Sequence, residues 1–167
     1  MPTGIKATSS PLQISEKLES AGGNTFVQKQ VSLPLNTLDR EVFVVTGVDI
    51  NVSAPDVHAT NNSQVGCSVS TQSRTTLGTI ANSQVLADKY RDIKRDAAVA
   101  VAFEGFFGET PNAGVDFVGI IATEDFFIQL DGQNNAADKF ANVRLFGYRA
   151  QASADVYAAL VQSELLS

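Results

Sequence analysis

The sequence predicts a mainly β domain, an antiparallel sandwich, and three observations carry that prediction. Beyond residue 24, apolar and polar residues alternate, as where Val48, Ile50 and Val52 interleave with Asp49 and Asn51, which is the two-residue period of a half-buried strand. Clusters with turn chemistry, Glu109 to Ala113, Thr123 to Asp125 and Asp131 to Asn135, separate the alternating stretches. A sustained helical spacing closes the chain, where Val156, Tyr157, Leu160, Val161 and Leu165 recur on one face.

Taken in order, residues 1–24 are rich in Ser, Gly, Thr and Pro and end on Ala21-Gly22-Gly23-Asn24, a composition that buries too little apolar surface to fold alone. They read as an extended N-terminal arm in which Leu12, Ile14 and Leu18 offer one short apolar contact, either a helical turn or an extended segment. A single domain then occupies residues 25–167. Val27, Val31, Leu33 and Leu35 among Gln28, Gln30 and Ser32 mark its first strand, and Asn36 to Arg40 is a turn. Glu41 to Ser53 follows as a long strand, with Val42 and Val44 on one face, Phe43 and Val45 on the other, and Gly47 at a bulge. After the polar loop Pro55 to Gln64, residues Val65, Cys67, Val69 and Thr71 mark a third strand. Asn82 or Ser83 is placed to cap a short helix over Gln84 to Arg95. Four further strands run over Ala97 to Gly108, Gly114 to Thr123, Phe126 to Leu130 and Asn142 to Ala152. Ser153 then caps the short C-terminal helix, with Asp155 in its first turn.

That makes seven strands, or eight if the first is broken, and a jelly roll fits the count best. An immunoglobulin-type sandwich is disfavoured, because the chain has one cysteine and no tryptophan. No repeat at a solenoid or propeller period is present, so the domain stands alone.

Composition narrows the function. A chain of 167 residues typically buries about 70% of its unfolded surface, so it needs neither metal nor disulfide to fold. Charged residues are only 18%, below the roughly 25% of ordinary soluble domains, which suits a surface partly covered by neighbours. A net charge of -6 and a pI near 4.6 give duplex nucleic acid and anionic membranes no general attraction to the chain. The first forty residues set Lys6, Lys17, Lys29 and Arg40 against Glu16, Glu19 and Asp39, too balanced to condense a genome. The longest wholly apolar run, Ala97 to Phe103, is far short of the ~20 residues of a membrane span. The N-terminal residues lack the apolar segment of a secretory signal, which leaves cytoplasmic synthesis as the expectation.

No catalytic, cofactor-binding or metal constellation is expected. The one histidine, His58, lies in a polar loop, where an exposed structural role outweighs catalysis. Cys67 alternates with Val65 and Val69, the position of an inert buried thiol. Glu124 and Asp125 at a turn, and Glu104 in an apolar strand, are the acids an acid-pair hydrolase would need, yet adjacent turn acids are ordinarily solvated. Asp131 to Asn135 carries one carboxylate, which makes it a turn rather than a calcium loop. In Asp88 to Asp96 four bases and three acids nearly cancel; the strip is either a solvated face or, through Arg91 and Arg95, a source of ion pairs to a neighbouring subunit.

The stretches Leu38-Asp39-Arg40-Glu41-Val42-Phe43-Val44-Val45, Ile120-Ile121-Ala122-Thr123-Glu124-Asp125-Phe126-Phe127 and Phe146-Gly147-Tyr148-Arg149-Ala150 resemble those of small single jelly-roll coat proteins of icosahedral viruses, over residues 25–167. The resemblance implies two four-stranded sheets, an arm reaching neighbouring subunits, no active site and a place in the virion. The residues agree at one point: eight of the ten phenylalanines lie between Phe103 and Phe146, and Phe106-Phe107 and Phe126-Phe127 place rings on both faces of their strands. One ring of each pair faces away from the core and calls for cover, from a second copy or from a helix on the sheet. The expected partners are therefore copies of the chain, with other virion proteins beside them, and the expected contact residues are Leu12, Ile14, Leu18, Arg91, Arg95, Phe106, Phe107, Phe126 and Phe127. The alternative is a non-enzymatic binding module, a virion decoration, receptor-binding or carbohydrate-binding sandwich.

Overall fold

Strands whose residues alternate between apolar and polar each own one face that must leave water, and here two such faces close on each other. The computed structural model describes residues 3–104 and 115–166; Phe106, Phe107 and the expected turn at 109–113 lie outside them. The elements are β1 (Ile5–Ala7), β2 (Leu12–Glu19), β3 (Val27–Ser32), β4 (Glu41–Val52), β5 (Ser63–Ser70), β6 (Val85–Asp96), β7 (Val99–Glu104), β8 (Gly119–Ile121), β9 (Asp125–Gln133), β10 (Phe140–Ala152) and α1 (Ala154–Leu166). One sheet holds β1 and β2 beside β10, then β4 and β8; the other runs β3-β9-β5-β6-β7. Every pairing is antiparallel.

β1 and β2 share one edge of β10, with Ile5 opposite Ala152 and Leu12 to Glu19 opposite Gly147 to Phe140. They are one strand position interrupted before Pro11, which has no N–H for a ladder. Counted so, the first sheet has four positions and the second has four plus the added β7. Among the described strands, six of the nine connections cross from one sheet to the other, as in a jelly roll. The expectation of an arm outside the domain gives way for residues 5–19. They are extended, but β10, the longest strand, offers them a free edge within the same chain, and Ile5 and Leu18 are buried.

The main core lies between the sheets and includes Phe43, Val45, Val48, Ile50 and Val52 of β4, Val65, Cys67 and Val69 of β5, Phe126, Ile128 and Leu130 of β9, and Ala141, Val143 and Leu145 of β10. A second, smaller cluster sits on the outside of the first sheet, where Val42, Val44, Ala150, Ala152 and Ile5 meet Val156, Tyr157, Leu160 and Val161 of α1. One irregularity makes both clusters possible. Gly47 pairs with Phe146 and Val45 with Gly147, so Thr46 is an extra residue in β4. The bulge shifts the alternation by one and sends Phe43 and Val45 inward and Val42 and Val44 out under the helix. Gly147 is required opposite it: a Cβ there would stand 2.2 Å from the Val44 carbonyl oxygen and 2.4 Å from the Phe43 ring.

Three expectations are corrected. Residues 84–95 are not a helix; all but Gln84 belong to β6, with Ala87, Lys89 and Arg91 opposite Val69, Cys67 and Val65 of β5. Acid–base pairs three and four apart suit a helix surface, but here a neighbouring strand supplies the competing partner. β9 continues through Asp131 and Gly132 to Gln133, and the chain turns at Asn134, whose φ is 55°. In α1 the buried residue of the last turn is Glu164, 8% exposed, while Leu165 is 75% exposed.

Among the described residues, all but two of the side-chain polar atoms that leave water are paired; Arg95 Nε and Glu164 Oε2 are the two that are not. On the outer side of the second sheet, Gln129 Nε2 donates to Ser70 Oγ (2.8 Å) and Gln28 Oε1 (3.0 Å), and Ser68 Oγ donates to Gln129 Oε1 (2.7 Å). The 71–84 loop lies over them, with the Gly78 N–H donating to Ser68 Oγ and the Arg74 N–H to Gln28 Oε1. At one end of the sandwich, buried Lys139 donates to Asp56 Oδ1 (2.7 Å) and the Ala54 carbonyl (3.2 Å), while Asp56 Oδ2 accepts from Ala136 and Ala137 N–H. The Lys139 hydrogen bond and the Ala137 N–H hold the Asp56 carboxyl below its ordinary value. Glu164 Oε1 accepts from the Ala122 N–H (3.1 Å) and ties α1 to the strand end; burial pushes its carboxyl up, against the hydrogen bonds of Ala122 and Thr123.

Three outcomes follow. Gly147→Ala is expected to cost about 1–3 kcal/mol in denaturant unfolding, because backbone and a ring must both move. Removing residues 1–24 strips an edge from β10 and uncovers the core, and is expected to lower stability by at least about 3 kcal/mol from Ile5 and Leu18 alone. Because the folded chain raises the Glu164 pKa, the stability this group carries is full below its ordinary value of 4.5 and is lost as pH rises through the raised one. Glu164→Gln keeps an acceptor for Ala122 without the charge, so its melting temperature should exceed that of the parent at neutral pH and converge with it in acid.

Candidate assembly surface

β6 is longer than its partner: its pairing with β5 stops at Ile93 opposite Ser63, whereas its pairing with β7 continues to Asp96 opposite Val99. The end of the β6–β7 hairpin therefore projects past β5. Its two-residue turn, Ala97-Ala98, has Ala97 at a φ of 47°, the left-handed conformation of tight hairpins. On β7 the small residues Ala100 and Ala102 alternate with Val99, Val101 and Phe103, which are 62%, 48% and 55% exposed. In register beside them stand Asp96, Lys94 and Asp92. The outcome is an apolar column flanked by a charged one, on a strand with no second neighbour among the described residues.

The hairpin is stapled at its base. Arg91 Nη2 lies 3.1 Å from Glu104, directly opposite in register, and Lys89 Nζ lies 3.7 Å from the same carboxylate. Arg91 Nη1 donates to the Val52 carbonyl of the other sheet at 2.9 Å. Arg91, expected to reach a neighbouring subunit, is thus occupied inside its own chain. The Arg95 N–H donates to Asn62 Oδ1, and its side-chain Nε is buried without an acceptor among the described residues.

The remaining expected contact residues divide. Leu18 and Phe126 are core residues and offer no free surface; Ile14 packs against the same core. Both corrections follow from strand alternation, which turns Leu12, Ile14 and Leu18 to one side of β2 and Phe126 to the inner side of β9. Leu12 is 37% exposed at the strand end. Phe127 points out of the second sheet between Gln30 and Ser70 and is half-buried. The residues missed are Val99, Val101 and Phe103. Their signal was the large–small alternation Val-Ala-Val-Ala-Phe, the mark of a strand with one broad apolar face.

The groups considered for chemistry have structural partners. His58 Nδ1 accepts from the N–H groups of Thr60 and Asn61. Cys67 is fully buried, and burial pushes its thiol up to about 12, so at neutral pH it is not a thiolate nucleophile. Asp125 accepts from Gln30 Nε2, and the Glu124 carbonyl accepts from the Leu33 N–H; both belong to the seam between β3 and β9. Among the described residues no group of three His, Cys, Asp or Glu is spaced to hold a metal ion.

No protein-family model and no curated protein matches the sequence. Solved structures do match the fold. The VP1 protein of Merkel cell polyomavirus, as an unassembled pentamer, aligns with a TM-score of 0.50 at 6% identity, over 89% of this chain and 98% of that one. VP1 of Trichodysplasia spinulosa-associated polyomavirus aligns with a TM-score of 0.42 at 9% identity, over 88% and 96%. At these identities the similarity speaks for architecture, and with the Merkel cell polyomavirus protein the chain shares the jelly-roll sandwich of viral coat proteins.

Proposed function

We propose that the chain is a structural virion protein, a coat subunit that associates with copies of itself into a closed icosahedral shell. The observation that carries the reading is the β7 column: Val99, Val101 and Phe103 stand in a row on a strand that has no second neighbour among the described residues, and edge strands that stay monomeric are ordinarily blunted by charge, proline or cover. A second copy can satisfy both the apolar column and the free backbone groups. The jelly-roll sandwich supports the reading, and so does the pentameric state of the Merkel cell polyomavirus protein of similar fold. Low charge and a balanced N-terminal segment fit a shell protein that does not condense nucleic acid through its own cations. The site of action is the virion, reached after synthesis in the host cytoplasm, with other virion proteins as further partners. No helix among the described residues is long and apolar enough to cross a membrane.

The second reading, a non-enzymatic binding module, is favoured by one observation: half of the outer face of the first sheet is bare and polar.

Purified protein is expected to form large uniform particles in light scattering and electron micrographs, with each stable contact burying on the order of 1,000 Å² or more. Val101→Asp, at an exposed position, should change stability by less than about 0.5 kcal/mol and abolish the particles. Ile80→Asp, at a still more exposed loop position, should leave them intact. A parent protein that stays monomeric at high concentration overturns the proposal, and so does a Val101→Asp variant that assembles like the parent.

A further inference from the structure

The outer face of the first sheet changes character at the Thr46 bulge. On one side α1 covers it; on the other, β2, β10 and β4 present their outward residues to solvent in register. Along β10 these are Phe140, Asn142, Arg144 and Phe146, each exposed, alternating with the buried Ala141, Val143 and Leu145. Lys17 and Asn51 flank Asn142, while Ser15 and Asp49 flank Arg144. Over these two middle rows lies an open depression of about 410 Å³. An aromatic residue stands in the next row beyond each end of the depression: Phe140 is 39% and Phe146 36% exposed, and Gly47, opposite Phe146, leaves one flank of that ring open.

From this face we propose a binding site for a neutral oligosaccharide laid along β10. Pyranose rings offer apolar C–H faces that stack on aromatic rings and vicinal hydroxyls that pair with planar amide, guanidinium and carboxylate groups. The face supplies both, with rings at the ends and such planar groups between. Six residues of strand separate Phe140 from Phe146, about 20 Å at ~3.4 Å per residue, the span of a short sugar chain. The Lys17 ammonium lies over the Phe140 ring, 5.1 Å from its centroid, and covers one of its faces, so the Phe146 ring is the more open stacking surface.

Charge decides against other occupants. Lys17 and Arg144 are balanced by Glu19 and Asp49, and Lys17 is already paired with Glu19, so the face has no surplus to attract nucleic acid or a strongly acidic glycan. Arg144 Nε spans to Ser15 Oγ at 3.3 Å, which aims the guanidinium along the face. A second copy of the chain is a poor fit, because the centres of lasting self-contacts are depleted of charge, whereas here charged and amide groups hold the centre and the rings lie at the margins.

The test uses the full chain on a printed array of neutral and sialylated glycans, followed by titration calorimetry with the retained neutral oligosaccharide and light scattering on the same samples. Retention of at least one neutral oligosaccharide is expected, weakened about tenfold or more by Phe146→Ala and by Asn142→Ala, with melting temperature and particle size unchanged. Phe127→Ala, on the other sheet, should leave binding as it was. Retention of no neutral glycan, retention confined to sialylated ones, or binding indifferent to both variants on this face would each overturn the site. If Asn142→Ala instead disperses the particles while no sugar binds, the face belongs to a contact between copies and the proposal fails.

Discussion

One extra residue in β4, held against a glycine in β10, organises the molecule. With Thr46 unpaired and Gly147 letting the two backbones close, a single strand serves two cores: residues 48, 50 and 52 face the sandwich, then after the bulge residues 43 and 45 do, and 42 and 44 turn outward. A strand apolar on both faces needs cover on both, and α1 supplies the outer layer. Without the slip, Phe43 would leave the main core and the helix would have no apolar bed. The division of the outer face into a covered half and an open polar half has the same origin.

Stability is further distributed over buried polar groups that leave few orphans. Gln129 is fully buried, yet Ser68, Ser70 and Gln28 engage its amide on the outer side of the second sheet. An unpaired buried amide costs about 1–3 kcal/mol, so this cluster fixes the path of the 71–84 loop more than it adds net energy. The Lys139–Asp56 pair does the same at one end of the sandwich, gathering residues 54–56 and 136–139 around one ammonium group. Glu164 is the exception, a carboxylate in a helix stripe that an apolar residue would fill more cheaply.

Much of the sandwich was legible because alternation is strong where both faces differ: β4, β5 and β10 read from Val, Ile and Leu at every second position, and Gly47 signalled the bulge. What failed has physical reasons. β6 carries acids and bases at spacings that a helix surface and a strand edge satisfy equally, and nothing local says that Val65, Cys67 and Val69 wait alongside. The N-terminal strand hid behind Ser and Gly, since its order is lent by β10, more than a hundred residues away. Leu165 and Glu164 differ by one position on a helix, and only the Ala122 N–H decides which turns inward. As for the surface, the outward ring of Phe127 was predictable from its neighbour, whereas the projection of Val99 and Val101 depends on β6 outrunning β5, a mismatch of strand lengths that no single segment records.

The placement of β10 governs when this protein can be made. β10, the last of the described strands, lies between the first strands and β4, so the first sheet has no centre until β10 has left the ribosome. Pairings this distant in sequence fold slowly, and meanwhile β2, β4 and the β7 edge are open to any other nascent chain. Crowding many copies on one messenger would favour tangling of unfinished chains. Completion of the sandwich thus waits on the strand that pairs with both β2 and β4.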